Sequence, residues 1–121
     1  TLLGRLCRFH LWEPNSFGMH KAMPHEEALQ EHGPGIRRAY TYKALNKLIQ
    51  GSAADMTKKS MLDLYKEGII PHIQIHDELD ISIVDDEKAK KIIEIMENAV
   101  TLEVPNKVDY EFGNNWGEIY D

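Results

Sequence analysis

HIQIHDELDISI, residues 72–83, alternates apolar and polar side chains, breaks on His76, Asp77 and Glu78, and then alternates again. Period-two alternation on both sides of a short ionisable break predicts two antiparallel strands joined by a tight turn. Cross-strand partners share a face, so the preferred register is the one that sets like beside like. A two-residue loop at Asp77 and Glu78 would put Ile75 beside Asp80 and Ile73 beside Ser82, mixing both faces. A three-residue loop of Asp77, Glu78 and Leu79 pairs Ile75 with Ile81 and Ile73 with Ile83 on a buried face, with His76 facing Asp80 on the polar one; this register is the expected one. The tip then carries neighbouring carboxylates where turns usually favour Gly or Asn. Two such charges gain nothing from the turn itself, so a cation is expected against them. Mg²⁺, which takes one or two carboxylates together with water and phosphate oxygens, suits such a rigid acidic tip. The plain alternative is a solvated acidic turn.

Working outward, GSAADMTKKSMLDLYKEG predicts a helix beginning near Gln50 or Gly51, with positions 53, 56, 57, 60, 61 and 64 on one side and Gly68 as its stop. A separate helix is expected from Ile36, with Ile36, Ala39, Tyr40, Ala44 and Leu48 on one face. After the hairpin, Asp85 or Asp86 can cap a third helix whose apolar set is Ala89, Ile92, Ile93, Met96, Ala99 and Val100. KVDYEF, residues 107–112, reads as a last strand before a loop-like tail. At the other end, TLLGRLCRFHLW reads as extended chain, followed by a loop in which HEEALQEHG makes a short helix and Gly33-Pro34-Gly35 a break. Helices in groups beside strands joined by a hairpin predict an α+β fold, an antiparallel sheet with helices packed on one face.

The chain has 121 residues, the length of one domain, and one cysteine, Cys7, which excludes an internal disulfide and a cysteine-rich zinc site. No stretch is long and apolar enough for a membrane span, and no signal peptide opens it, so a cytoplasmic protein without membrane partners is expected. The opening TLLGR lacks an initiator methionine and starts within an apolar run, which suggests a fragment. The net charge of −6 is unevenly divided, about +4 over residues 1–59 and −10 over residues 60–121. One region meeting an anion and another gathering cations is compatible with that division, as are ordinary solvated helices.

The HDE tip between two alternating runs resembles the hairpin of family A DNA polymerases, the bacterial polymerase I and phage replicative type. RRAYTYKALNKLIQGSAADMTKKSM, residues 37–61, resembles the helix pair of that family with its QGSAAD or QGTAAD signature. TLLGR resembles the segment after the family's fingers, and the tail FGNNWGEIYD resembles the way these polymerases end. The resemblance covers nearly the whole chain and is nearer the phage branch; residues 14–34 match least and read as a possible insertion.

The resemblance implies the C-terminal palm portion of a DNA polymerase acting in DNA replication. Asp77 would be a palm carboxylate holding two Mg²⁺ ions and Glu78 a supporting one, the pair being the catalytic and metal-binding residues within this chain. His76 would lie against the primer terminus. Asn46 and Gln50, four residues apart on one helical face, would meet the minor groove of primer-template DNA, with Lys43 near a phosphate. Every base pair offers N3 or O2 acceptors there, so Asn and Gln can sense pairing geometry without reading sequence. Bacterial members usually carry arginine at the place of Lys43, which implies a point-charge contact here. The family's other metal-binding aspartate and its fingers residues for deoxynucleoside triphosphates are missing from this sequence. The chain alone is therefore expected to be inactive, a cut piece or a split-gene product that needs the remaining polymerase as partner.

Two rivals come from other classes. Metal phosphohydrolases also use His-Asp dyads, but they place them on helices, and His72 and His76 on a strand would lie roughly 13 Å apart, too far for one metal. The other rival is a non-catalytic DNA-binding or scaffold domain derived from a palm.

Overall fold

The structure, a computed structural model, describes residues 1–119. Its elements run β1 (Trp12–Pro14), α1 (His25–His32), β2 (Ile36–Arg38), a 3-10 turn (Thr41–Lys43), α2 (Ala44–Lys66), β3 (Ile73–Ile75), β4 (Glu78–Asp80), α3 (Asp86–Asn98) and a second 3-10 turn (Trp116–Glu118). This is the expected α+β class, but the strands form two separate antiparallel pairs, β1 with β2 and β3 with β4, instead of one sheet. Two compact units divide the chain, residues 1–52 and residues 53 onward. No helix among the described residues is long and apolar enough to cross a membrane.

In the first unit the expected helix from Ile36 is replaced by a strand. Ile36–Arg38 pairs with Trp12–Pro14 in the register Trp12 to Arg38, Glu13 to Arg37 and Pro14 to Ile36. Glu13 is buried, and the guanidinium of its cross-strand partner Arg37 donates Nε to Oε1 at 2.9 Å. A covered carboxylate needs such a partner, so this pairing outweighs a local helical pattern. Tyr40 at φ 63° then turns the chain, and helix begins only beyond it. The short helix expected in HEEALQEHG is present as α1, with Ala28 fully buried. Lys21 joins it at 2.9 Å through Glu31, and that hydrogen bond holds the Glu31 carboxyl below its ordinary value. Of the expected extended opening, only Trp12 enters a strand.

The helix break expected near Gly51 is also absent, and one 23-residue helix runs through it. Gly51 serves close approach instead. A Cβ there would stand 3.0 Å from Thr1 Cγ2, while Arg5 Nη2 donates to the Gly51 carbonyl at 3.0 Å and the Leu2 amide donates to Ser52 Oγ at 2.9 Å. Glycine is present because the chain opening lies against the helix, at some loss of helical propensity.

In the second unit the core is Leu64 from α2, Ile69 and Ile92 from α3, with Leu79, Ile81, Ile83, Ile95 and Met96 packed against it. Thr57 and Ser60 are buried on the expected side of α2; Ala53 on that side is exposed and Asp55, off it, is buried. Gly68, at φ +75°, ends the helix where expected. Its amide donates to the Tyr65 carbonyl at 2.9 Å and the next amide, Ile69, to the Leu64 carbonyl at 2.9 Å, the paired bonds of a Schellman stop. Asp85 caps α3 as expected, its Oδ1 accepting from the Lys88 amide at 2.8 Å. KVDYEF is not a strand: no ladder partner exists among the described residues, and the Val108 amide donates to Glu97 Oε1 at 3.1 Å instead. The tail holds the Trp116–Glu118 turn, and its last residues, Tyr120 and Asp121, lie outside the described residues.

Candidate functional site

Within the second unit, β3 and β4 form the expected hairpin, but with another register. Ile75 pairs with Glu78, Gln74 with Leu79 and Ile73 with Asp80, so the loop is the two residues His76 and Asp77. Glu78 and Leu79, expected in the turn, open β4. The pairings of Ile75 with Ile81, Ile73 with Ile83 and His76 with Asp80 are therefore not formed. Packing explains the difference: Leu79, Ile81 and Ile83 lie against the core, and a loop containing Leu79 would remove the first of them from it. The consequence falls on β3, whose Ile73 is left 44 % exposed.

Two-residue hairpin turns use left-handed backbone at their first position, and here that residue is His76, at φ 54°. Histidine enters this region more readily than branched side chains do. The Gln74 side-chain amide donates to the His76 carbonyl, two residues on, at 2.6 Å. Asp77 follows at the second position, exposed, and no hydrogen bond or ion pair engages its carboxylate among the described residues. Glu78 is half-buried at the first position of β4. The predicted trio of His76, Asp77 and Glu78 is thus brought together at one end of one hairpin.

Asp80 belongs to this group as well. Strand alternation puts it on the face of Glu78, two residues back. Of its two carboxyl oxygens, Oδ2 is sealed from solvent and has no hydrogen-bond partner among the described residues. Burial is the larger cause pushing this carboxyl above its ordinary value, and the Glu78 carboxylate adds to it through hydrogen bonding and charge. The sequence carried the signal in the E-x-D spacing, which the longer loop had hidden by placing Glu78 in the turn. Among the described residues no group of three or more His, Cys, Asp and Glu side chains is arranged to hold a metal ion. Asp77 and Glu78 supply hard oxygens of the kind Mg²⁺ prefers, and they fit as part of a coordination sphere.

The other predicted residues lie in the first unit. Lys43 ends the 3-10 turn, its Nζ 5.0 Å from the Tyr40 ring centroid and 5.7 Å from that of Tyr42. Asn46 and Gln50 follow on α2, both exposed and one turn apart on the same face. Two neighbouring cations were missed by sequence reasoning. Lys47 Nζ lies 5.1 Å from the Phe9 ring, and the Arg38 guanidinium lies 4.8 Å from Trp12 while Nη1 donates to the Phe9 carbonyl at 2.6 Å. Alternating Arg, Lys and aromatic residues was the available cue. Cations above aromatic faces, beside exposed amide side chains, can meet phosphates and base edges.

Comparison with known proteins gives one family model, DNA polymerase family A, matching residues 3–118. The chain is 45 % identical over 117 residues to a DNA-directed DNA polymerase of Pseudomonas phage M6, a match covering 97 % of this chain and 14 % of that protein. It is 45 % identical over 82 residues to DNA polymerase I of Bacillus caldotenax, covering 60 % of this chain and 9 % of that protein. It is also 40 % identical over 96 residues to DNA polymerase theta of Drosophila melanogaster, covering 64 % and 4 % respectively. The chain thus spans a small fraction of the length of the curated relatives it matches. No solved structure gives a significant match.

Proposed function

The chain belongs to DNA polymerase family A, and we propose that it supplies the C-terminal palm portion of a template-directed DNA polymerase acting in DNA replication, in a bacterial or phage-infected cytoplasm. The observation that carries this reading is Asp77, an exposed carboxylate with no hydrogen-bond or ion-pair partner among the described residues, held at the second position of a two-residue hairpin turn. An aspartate so presented keeps its oxygens available to a cation, whereas an ion-paired or buried one would not.

In this reading Asp77 and Glu78 hold Mg²⁺, sharing the coordination with groups from elsewhere in the polymerase. The chemistry supplied by two bound Mg²⁺ ions is activation of the primer 3′ hydroxyl and neutralisation of the departing pyrophosphate of a deoxynucleoside triphosphate. His76 lies beside Asp77 and contacts the primer terminus. Asn46 and Gln50 donate to minor-groove acceptors of primer-template DNA, and Lys43 neutralises a phosphate. The remainder of the polymerase, in the same polypeptide or as a separate chain, supplies the nucleotide-gripping residues and the opposing aspartate. By itself this chain does not extend a primer. The second reading is a non-catalytic DNA-binding or scaffold domain derived from a palm.

Primer extension with Mg²⁺ decides between them, using this chain mixed with the N-terminal remainder of a related polymerase. Extension restored by the parent and reduced at least about a hundredfold by Asp77→Asn is expected, the scale of losing one electrostatic group at a reacting centre. Equal extension by the two chains removes Asp77 from the chemistry.

A further inference from the structure

We infer that Gln74 is the positioning residue of the hairpin turn: its side-chain amide holds the His76 carbonyl and so selects the register that presents Asp77. The inference rests on the reading above only for what Asp77 does. For the turn itself it rests on three local observations. His76 has left-handed backbone at φ 54° without being glycine. Gln74 Nε2 donates to the His76 carbonyl at 2.6 Å, spanning the strained peptide from the strand that enters it. The register observed is the one that side-chain pairing disfavours, with Ile75 opposite Glu78 and Ile73 opposite Asp80.

A hairpin whose apolar residues would pair better after a shift is prone to that shift, because sliding the register exchanges cross-strand partners throughout. Here the alternative loop of Asp77, Glu78 and Leu79 would set isoleucine opposite isoleucine twice and relieve His76 of its left-handed backbone. Two effects oppose it. Leu79 packs against the core formed by Leu64, Ile69 and Ile92. The Gln74 side chain bonds the carbonyl of His76, two residues on along the same chain segment, and so holds the first residue of the two-residue turn; a three-residue loop starting at Asp77 returns His76 to the strand. Leu79 favours the register from the core side and Gln74 from the tip. Only the second acts directly on the peptide that precedes Asp77. Gln74 is exposed and contributes nothing to the core, so its replacement leaves the fold of the unit in place.

NMR on the 121-residue chain tests this without metal or DNA. The His72 amide, which donates to the Asp80 carbonyl at 2.8 Å, reports ladder closure through its hydrogen exchange, and cross-strand contacts report register. Gln74→Ala is expected to speed His72 exchange about fivefold, the scale of one lost hydrogen bond, and to bring up contacts between Ile75 and Ile81. Adding His76→Gly, which removes the backbone strain that the amide opposes, is expected to restore exchange to within about twofold of the parent. A merely packing role for Gln74 would not be rescued by glycine at position 76. Unchanged exchange and register in Gln74→Ala, or a double variant as open as the single one, overturns the inference. Either result leaves the primer-extension test of Asp77 standing, and a failure of that test leaves the clamp standing.

Discussion

Asp80 and Glu78 share a face of β4, and the pair behaves differently from the exposed Asp77 beside it. The Asp80 carboxyl is covered, so its neutral form is favoured in the folded chain, first through burial and then through Glu78. The sign of the linkage follows. A raised carboxyl value means that, between the unfolded and folded pKa values, the folded chain binds more protons than the unfolded chain. The associated stability is fully present below the unfolded value and is lost as pH rises through the folded one. Asp80→Asn keeps the shape of the side chain and removes the charge. It is expected to raise the midpoint of thermal unfolding at pH 7 relative to the parent and to leave it nearly unchanged at about pH 3, below the ordinary aspartate value. Thermal melts across that range check this, and a difference that is the same at both ends would show that the substitution acts through packing instead.

Gly68 and Asp85 bound the two helices of the second unit by backbone chemistry. Gly68 holds φ +75° with open space where a Cβ would lie, so Gly68→Ala meets no neighbour and is strained only by the backbone. A loss of about 1 kcal/mol is expected, read from denaturant unfolding. Asp85→Ala deletes the bond to the Lys88 amide and is likewise expected to lose about 1 kcal/mol. These ends were legible in the sequence because each depends on one residue type at one position, and so was α3, whose apolar spacing carries through to buried Ile92 and Val100. Strand Ile36–Arg38 was not legible. Its existence depends on Trp12–Pro14, more than twenty residues earlier, and on the Glu13 to Arg37 pair that closes it. The hairpin register failed for a related reason: local pairing of isoleucines was weighed, while the pull of Leu64, Ile69 and Ile92 on Leu79 is a tertiary effect. At the candidate site Asp77, Glu78 and His76 are grouped at the tip in either register. The surroundings of Asp80 and Gln74 depend on the observed register and were not legible.

Across the whole molecule the charge division, about +4 in residues 1–59 against −10 in the rest, gives the family assignment a physical consequence. The exposed cations Arg38, Lys43 and Lys47 belong to the positive part, near Asn46 and Gln50 in sequence, whereas the hairpin carboxylates belong to the negative part. A chain that binds primer-template DNA through the former should do so weakly, because only a few phosphates are neutralised and its net charge of −6 opposes approach. Each phosphate contact contributes a slope of about −0.9 to the logarithmic dependence of affinity on salt. Lys43→Ala is therefore expected to weaken duplex binding and to reduce that slope by about one, while Asn46→Ala weakens binding with the slope unchanged, because an amide releases no counterion. Fluorescence anisotropy of a labelled duplex across a salt series separates the two. A slope unaffected by Lys43→Ala would mean that this lysine meets no phosphate, and its position over Tyr40 and Tyr42 would then be its whole role. Duplex binding absent at every salt concentration would leave the family assignment intact and count against Lys43, Asn46 and Gln50 as DNA contacts of this chain.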